Sequence, residues 1–319
     1  MTPPDGPDSK VTSDPSAVRV LPDVAVAQAA TRGRLYRVCM RGISTPILLD
    51  LPDGVQRCAA SVDVLVSLDD AAARGIHMSR LYLLLERLST EAVSPQVLGT
   101  LLGELVASQQ GLSSAASITL RFDLLLRRPA LVSDLSGWKA YPCRIEATSQ
   151  NGVTRLVQHL ELAYSSTCPM SAALARQANR EAFEHQFGTH GTVAAEAVAE
   201  WLEQERGLAA TPHAQRSRAE LELVWQPGVT MLPFTAIVDR VEAALATPVQ
   251  TAVKRVDEQA FARLNAANLM FCEDAVRRIA FVLADWPDLA DFEVRVAHLE
   301  SLHAHDAVAV ARRSDISQS

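Results

Sequence analysis

The chain has 319 residues, of which 48% are hydrophobic, and its formal net charge at pH 7 is −7. This length fits one large domain or two of ordinary size, and the apolar content excludes a globally disordered chain. The negative charge argues against a general binder of nucleic acid or of anionic membranes. The five cysteines form no CxxC pair, which argues against a disulfide framework and favours a reducing compartment.

The first twenty residues are rich in Pro, Asp and Ser, which predicts a disordered tail over residues 1–20. This segment has neither the basic region nor the apolar stretch of a signal peptide. No run in the chain approaches the roughly 18 apolar residues that a membrane-spanning helix needs. We therefore expect a cytoplasmic protein that has no membrane partner.

The first half of the chain, residues 21–150, predicts the element order β, α, α, β, β. Strands are predicted where apolar and polar residues alternate, and helices where apolar residues recur every three or four positions. Pro95 suits the first turn of a helix. The predicted elements are a strand at 55–69, helices at 81–88 and 95–109, and strands at 115–127 and 140–149.

The second half, residues 151–319, shows a similar order of elements. Asn151 and Gly152 predict a tight hairpin turn, because this pair favours the backbone conformation that two-residue hairpins need. The predicted elements are strands at 153–165, 216–226 and 291–298, and helices at 171–188, 193–206, 232–246 and 257–284. The recurring order predicts an α+β fold of two tandem modules that divide near residue 150.

Three of the eight histidines lie in the nine-residue window 298–306, together with two acidic residues. If the preceding strand continues through this window, His303 and His305 share one face and Glu300 points to the other. Imidazoles beside carboxylates suit general acid–base or metal chemistry. The alternative is a polar strand end that happens to carry histidines.

Cys168 follows a predicted strand and precedes Pro169, which begins a predicted helix. A thiol at a helix N-terminus ionises more readily, because the positive end of the helix dipole stabilises the thiolate. Cys168 is therefore the best thiolate candidate among the five cysteines. The alternative is a small buried side chain, which is the commoner role of a free cysteine.

Further polar candidates lie in the second half. His213 lies in a loop led by Pro212, and Arg216 with Ser217 offers fork-like donors and a hydroxyl to a phosphate, or forms a solvated strand entrance.

Two glutamates follow in predicted helices. Glu258 is a metal-ligand candidate or an acid favoured by a helix dipole. Glu273 is spaced to pair with Arg277. The chain contains no GxGxxG, GxxxxGK[ST], HExxH or GxSxG motif, so its chemistry requires a dispersed site.

Seven segments together resemble the type IB GTP cyclohydrolase I family of the tunnelling-fold superfamily. Each segment is weak alone, but all seven occur in the family's order across about residues 20 to 312. They read Gly-Ile-Ser-Thr-Pro-Ile at 42–47, Gly-Ile-His-Met-Ser-Arg at 75–80, Ser-Thr-Cys-Pro at 166–169, His-Ala-Gln-Arg-Ser at 213–217, Lys-Arg-Val-Asp-Glu at 254–258, Phe-Cys-Glu-Asp at 271–274 and Glu-Ser-Leu-His-Ala-His-Asp at 300–306.

The resemblance implies a fold and a reaction. The fold is two tandem T-fold modules, each an antiparallel four-stranded sheet with two helices, assembled as a homotetramer with active sites at subunit interfaces. The reaction is hydrolysis of GTP at C8 to 7,8-dihydroneopterin triphosphate and formate, the first step of tetrahydrofolate biosynthesis. It classes the chain as a hydrolase acting on cyclic amidine C–N bonds, with GTP as its partner and no organic cofactor.

Carried over to this chain, the resemblance assigns Cys168, His213 and Glu258 as ligands of one divalent metal ion per active site. A thiolate, an imidazole and a carboxylate leave a position open for water, as catalytic metal sites do. This mixture of donors accepts Zn, Mn or Fe(II). Cys168 thus counts as both a catalytic residue and a metal ligand.

The resemblance also assigns roles around the substrate. Glu273 resembles the carboxylate that anchors the guanine by accepting two hydrogen bonds. His303 and His305 resemble the histidines that transfer protons during ring opening and deformylation. Arg80, Arg216 and Ser217 are candidates for binding the triphosphate.

Three features depart from the family's pattern. Met170 stands where the family often has a second cysteine, and His298 stands where it usually has asparagine. Residues 172–210 form a helical insertion within the second module. Two alternatives remain open: an archaeal-type relative that makes a cyclic-phosphate dihydroneopterin from GTP, and a non-catalytic T-fold paralogue that binds a purine or pterin.

Overall fold

The computed structural model describes residues 27–316, so the tail predicted at 1–20 lies outside the described residues. Eight antiparallel strands form one sheet in the order of the chain. The strands are β1 (Leu35–Leu51), β2 (Gly54–Leu68), β3 (Ala115–Pro129), β4 (Ser136–Gln150), β5 (Val153–Thr167), β6 (Ala214–Trp225), β7 (Leu289–His298) and β8 (Ala307–Arg312).

Helices connect the strands where the chain does not turn directly back. They are α1 (Met78–Leu84), α2 (Arg87–Thr90), α3 (Pro95–Ser108), α4 (Pro169–Phe187), α5 (Ala195–Leu202), α6 (Phe234–Leu245), α7 (Arg255–Ala267) and α8 (Cys272–Ala284). Short 3-10 helices lie at Glu205–Gly207 and Arg313–Asp315. None of the helices in this described part of the chain has both the length and the apolar character to cross a membrane.

The core lies on one face of the sheet, against which α3, α6 and α8 pack. Apolar side chains alternate along each strand and point to this face, as the period of a half-buried strand requires. One row crosses the sheet through Cys143, Leu160, Leu221 and Val294, all of them buried. The two halves of the chain therefore contribute to a single hydrophobic core.

The predicted hairpin between β4 and β5 is present, and its position corrects the predicted fold. Asn151 and Gly152 adopt the left-handed conformation, with φ of 51° and 79°. From this turn the two strands pair continuously, from Gln150 opposite Val153 to Cys143 opposite Leu160. Two tandem T-fold modules, each with a separate four-stranded sheet, are therefore the wrong prediction, because main-chain hydrogen bonds continue from β4 to β5. The domain division near residue 150 stays a prediction.

Several local predictions also need correction. The helix expected at 257–284 is two helices, because the segment between α7 and α8 runs extended beside β5. Leu269 pairs with Thr167, and the Met270 N–H donates to the Thr167 carbonyl at 3.1 Å. The strand before the histidine window ends at His298, so His303 and His305 lie in a loop and share no strand face. β1 and β8 were not predicted from the sequence.

Candidate active site

Three neighbouring strands bring most of the predicted site residues to one end of the sheet. β5 ends at Thr167, which pairs with Ala214 at the start of β6, and β7 ends at His298, which pairs with Ser217. We call this end of β5, β6 and β7 the site edge. Antiparallel order places the end of one strand beside the start of the next, so segments far apart in sequence meet here.

Cys168 forms the N-cap of α4 at the site edge and is half-buried. Its Sγ accepts a hydrogen bond from the Ser171 N–H at 3.5 Å, and Pro169 occupies the first helical turn. The Cys168 N–H donates to the His213 carbonyl at 3.2 Å. The thiol therefore lies at the positive end of a 19-residue helix, as the sequence predicts.

His213 lies directly beside Cys168. Its N–H donates to the Ser171 hydroxyl at 3.0 Å, which fastens the start of β6 to the first turn of α4. Its ring Nδ1 lies 3.0 Å from the Gln215 Oε1 and 3.7 Å from a carboxylate oxygen of Glu300. The structure thus joins Cys168 and His213 through their main chains. A thiol and an imidazole are donors that suit a divalent ion such as Zn.

Glu258 is exposed in the first turn of α7. The neighbouring Asp257 is buried and accepts hydrogen bonds from the Val132 N–H, the Ser133 N–H and the Ser133 hydroxyl. Across residues 27–316, no three side chains of His, Cys, Asp or Glu are arranged to hold a metal ion. The assignment of Cys168, His213 and Glu258 as metal ligands therefore stays a prediction.

Glu273 is the second residue of α8 and is exposed. Its carboxylate accepts a hydrogen bond from the Cys272 thiol at 3.3 Å. The alternative pairing with Arg277 does not form, because Arg277 lies 3.7 Å from Asp274 instead. In the described part of the chain no cation pairs with Glu273, so its second oxygen is available to a ligand.

His303 and His305 lie in the loop between β7 and β8, and both are exposed. Their rings stack, with centroids 5.1 Å apart and an angle of 17° between the planes. The loop therefore brings the two imidazoles together, although the expected continuous strand does not exist. The preceding Glu300 reaches His213, so this loop belongs to the site edge.

The three triphosphate candidates lie in different surroundings. Arg216 is exposed near the start of β6. Ser217 is fully buried, and its Oγ lies 2.8 Å from the Ser166 Oγ. Arg80 donates from Nη1 to the Ser108 carbonyl at 2.7 Å. It lies in α1, near the end of the sheet where β2 ends and β3 begins, opposite the site edge. The three triphosphate candidates therefore do not lie at one site within a single chain.

Five buried polar side chains lie behind the site edge, and the sequence did not predict that they pack together. Inward positions of the three strands carry polar groups at the site edge, which is the end of β5 and β7 and the start of β6, whereas most other inward positions are apolar. The group comprises Tyr164, Ser166, Gln215, Ser217 and His298, and each is at most 9% exposed. A switch from apolar to polar residues at inward positions is a signal that strand alternation alone could have provided.

His298 lies at the far end of this set. Burial lowers the pKa of its imidazole to about 4, although the nearby carboxylates of Glu273 and Asp274 oppose the shift. Its Nε2 lies 2.8 Å from the phenol oxygen of Tyr164. Burial raises the pKa of Tyr164 above its ordinary value. Both side chains are therefore uncharged at neutral pH, as buried polar groups that hydrogen-bond to each other prefer.

A family model and two sequence relatives agree on one family for this chain. Residues 21–309 match the model of a family described as type I GTP cyclohydrolase folE2. A protein of Chromohalobacter salexigens is 48% identical over 298 residues, which covers 93% of this chain and 96% of that protein. One from Azotobacter vinelandii is 50% identical over 293 residues, or 91% and 97% of the two chains. Both relatives are named GTP cyclohydrolase FolE2.

Solved structures are more distant. A uricase from Arthrobacter globiformis aligns with a TM-score of 0.48 at 10% identity, covering 88% of this chain and 93% of that chain. A uricase from Bacillus fastidious aligns with a TM-score of 0.38, also at 10% identity.

Proposed function

Because the chain belongs to the type I GTP cyclohydrolase FolE2 family, we propose that it hydrolyses GTP at C8 to 7,8-dihydroneopterin triphosphate and formate. This reaction is the first step of tetrahydrofolate biosynthesis. The observation that carries the proposal is the near-50% identity, over nine-tenths of the chain, to relatives named GTP cyclohydrolase FolE2. We place the chain in the type IB branch of cyclohydrolase I, as a cytoplasmic hydrolase of a cyclic amidine.

We propose that Cys168 and His213 bind one divalent ion, Zn, Mn or Fe(II), and that Glu258 supplies the third ligand. The main-chain hydrogen bond between the first two residues and the chemistry of their side chains support this assignment. When bound, such an ion lowers the pKa of water and supplies a nucleophile near neutral pH. No organic cofactor is required for this hydrolysis.

The remaining residues act on the substrate. Glu273 accepts hydrogen bonds from the guanine ring N–H and amine, a pairing that its unpaired carboxylate oxygen and its exposure support. His303 and His305 accept and return protons as the ring opens and formate leaves, and their exposure on one loop supports this role. Arg216 is the proposed triphosphate contact on the same edge.

Arg80 and Ser217 do not lie exposed at the site edge as the other proposed substrate contacts do. Arg80 lies at the opposite end of the sheet, so we propose that it reaches the triphosphate of a neighbouring subunit in a homotetramer. Ser217 is buried and hydrogen-bonded to Ser166, so its proposed contribution is to support Arg216 from within the strand. GTP is the proposed partner, and we propose no nucleic-acid or membrane partner.

Turnover of GTP tests the proposal. Purified protein loaded with Zn, Mn or Fe(II) is expected to release formate and to give the fluorescence of an oxidised neopterin. The Cys168→Ala variant is expected to lose turnover by at least about 100-fold and to lose bound metal, because a metal ligand is removed. Cys39→Ala, which changes an exposed thiol on β1, is the matched control and should retain both.

Each outcome separates one alternative. Absence of formate and of fluorescence with all three metals would exclude the hydrolase and favour a purine- or pterin-binding role. A product whose mass corresponds to a cyclic phosphate would identify the archaeal-type reaction. Full turnover by Cys168→Ala would exclude Cys168 as a ligand while leaving the activity itself established.

A further inference from the structure

The connection between α7 and α8 places Glu273 near the end of β5. Residues 268–271 form this connection, and within it the Met270 N–H donates to the Thr167 carbonyl at 3.1 Å. Met270 is fully buried, so this hydrogen bond is shielded from water. Thr167 directly precedes Cys168, and Glu273 follows three residues after Met270. The position of Glu273 relative to the site edge therefore depends on how this connection is held.

One side chain in the connection joins three helices. Asn268 is the C-cap of α7, and its N–H donates to the Leu264 carbonyl at 3.0 Å. Its side-chain Nδ2 donates at 2.8 Å to the carbonyl of Leu245, the last residue of α6. Its Oδ1 accepts from the Nη1 of Arg278, in α8, at 2.7 Å. The amide thus uses both its donor and its acceptor, and α6, α7 and α8 meet at this residue.

Arg278 reaches back from α8 to the connection that precedes the helix. It lies ten residues after Asn268, so their hydrogen bond closes a loop that contains the connection and the first turn of α8. Hydrogen bonds with a charged donor are stronger than those between neutral groups. Glu273 lies inside this closed loop, which is hydrogen-bonded to β5 through Met270 and to α6 through Asn268.

We infer that Asn268 and Arg278 are positioning residues that hold Glu273 where it selects guanine. The inference rests on the role that the proposed function gives to Glu273. A carboxylate that accepts from both the ring N–H and the 2-amino group of guanine makes two parallel hydrogen bonds, and these tolerate only a narrow range of distance and angle. Asn268 and Arg278 act on this pairing through the connection, without touching the purine.

The packing of α8 offers a competing explanation. The helix packs against β7, β8 and α6. Asp274 caps its start by accepting from the Phe271 N–H at 3.0 Å. If these contacts alone determine where Glu273 lies, the hydrogen bond between Asn268 and Arg278 contributes only to stability. Substrate selectivity distinguishes the two explanations, because a loss of stability lowers the amount of folded protein and affects every substrate equally.

The preference for GTP over inosine triphosphate measures this selectivity, because inosine lacks the 2-amino group that Glu273 is proposed to bind. The ratio of kcat/KM for the two nucleotides is measured on the metal-loaded protein, and Glu273→Gln gives the ratio that remains without the carboxylate. Asn268→Ala and Arg278→Met are each expected to lower the ratio about 10-fold, because a misplacement of about 1 Å can cost ~100-fold. Arg278→Lys, which keeps a charged donor, is expected to retain most of the preference.

Asn265→Ala is the matched control. The Asn265 side chain also donates to a main-chain carbonyl, that of Phe261 at 3.0 Å, but this bond lies within α7. Its loss is expected to leave the ratio unchanged. The double variant Asn268→Ala/Glu273→Gln is expected to have the ratio of Glu273→Gln alone, because both changes act on the same hydrogen bonds to the purine.

Two further measurements keep the test independent of turnover and of folding defects. Calorimetric titration of the metal-free protein with each nucleotide gives the ratio of affinities, which is expected to follow the same pattern. Circular dichroism checks that each variant folds, and Arg278→Met breaks the same hydrogen bond from the other side if Asn268→Ala does not fold.

Three results would overturn the inference. They are an unchanged ratio in both Asn268→Ala and Arg278→Met, an equal fall in Asn265→Ala, and a further fall in the double variant. Failure of the proposed function has a different signature. If GTP is not hydrolysed but the affinity ratios follow the expected pattern, the cyclohydrolase activity is excluded and the positioning role stands. If Glu273→Gln keeps the wild-type preference, the guanine role of Glu273 is excluded, and the inference fails with it.

Discussion

His298 is a buried imidazole whose protonation opposes folding. Its folded pKa of about 4 lies below the ordinary value of 6.5. Above pH 6.5 neither the folded nor the unfolded state takes up the proton, so the titration of His298 does not change the free energy of unfolding there. As the pH falls from 6.5 to 4, only the unfolded state is protonated, and the free energy of unfolding decreases by at most about 1.4 kcal/mol per pH unit. Tyr164, Glu273 and Asp274 are the titratable neighbours of this ring.

The His298→Asn variant is expected to remove this pH dependence, because it has no titrating group at this position. Urea unfolding at several pH values between 7.5 and 4 measures the difference, which should grow in favour of the variant as the solution becomes more acidic. His190→Asn, an exposed position, is the control and should follow the wild type. A constant difference between wild type and His298→Asn across this range would contradict the prediction.

At the residue scale, the resemblance assigned Cys168 and His213 to one site, and their main chains are hydrogen-bonded, but the packing of the buried polar side chains behind them was not predicted. Both residues lie in motifs, and the antiparallel pairing of β5 with β6 brings them together. Gln215 lies in a quoted motif as well, yet its role depends on which side chain faces it across the sheet. That partner is determined by strand register, and register between strands far apart in sequence cannot be derived from single residues.

At the element scale, one buried carboxylate determines where α7 begins. Asp257 accepts from the Lys254 N–H at 2.8 Å, which caps the helix, and from three donors of the connection between β3 and β4. The hydrogen bond from the Ser133 hydroxyl contributes most to holding the pKa of this carboxyl well below its usual range. Glu258 follows directly, so its position depends on this anchor.

The Asp257→Asn variant is therefore expected to lower the urea midpoint, since an amide loses half of the acceptor sites that the carboxylate offers. It is also expected to weaken Zn binding by about 10-fold, because Glu258 is no longer held in place. The matched control is Asp134→Asn, which removes the exposed ion pair with Lys254 and should have little effect on either measurement. If Asp257→Asn and Asp134→Asn had the same urea midpoint and the same Zn affinity, Asp257 would have no role in holding Glu258 in place.

Sequence patterns identified most elements and failed where an element depends on its neighbours. The strands β2 to β7 and the helix α3 are predicted close to their observed ends, because their apolar residues recur with a clear period. The break between α7 and α8 is not visible in the pattern. It exists because Met270 and Leu269 bond to the end of β5 and because the Asn268 side chain donates to the Leu245 carbonyl at 2.8 Å.

At the scale of the whole molecule, the error in the predicted fold has a physical origin. The hairpin at Asn151 and Gly152 is identified from sequence, and it also lies where the element order begins to repeat. A repeat suggests two separate units, but a two-residue turn keeps its strands adjacent and hydrogen-bonded. The same turn that marks the repeat therefore continues the sheet from one half to the other.

The continuous sheet and shared core predict that the two halves unfold together. Gly152→Ala places a side chain at a φ of 79°, which is expected to reduce the free energy of unfolding by about 1–3 kcal/mol. Because the turn belongs to both halves, hydrogen exchange should become faster by the same factor in β3 and in β6. Gly99→Ala in α3 is the control, and it is expected to stabilise by about 0.5–1 kcal/mol. Acceleration confined to one half, or two separate unfolding transitions in urea, would instead indicate that the halves are independent despite their common sheet.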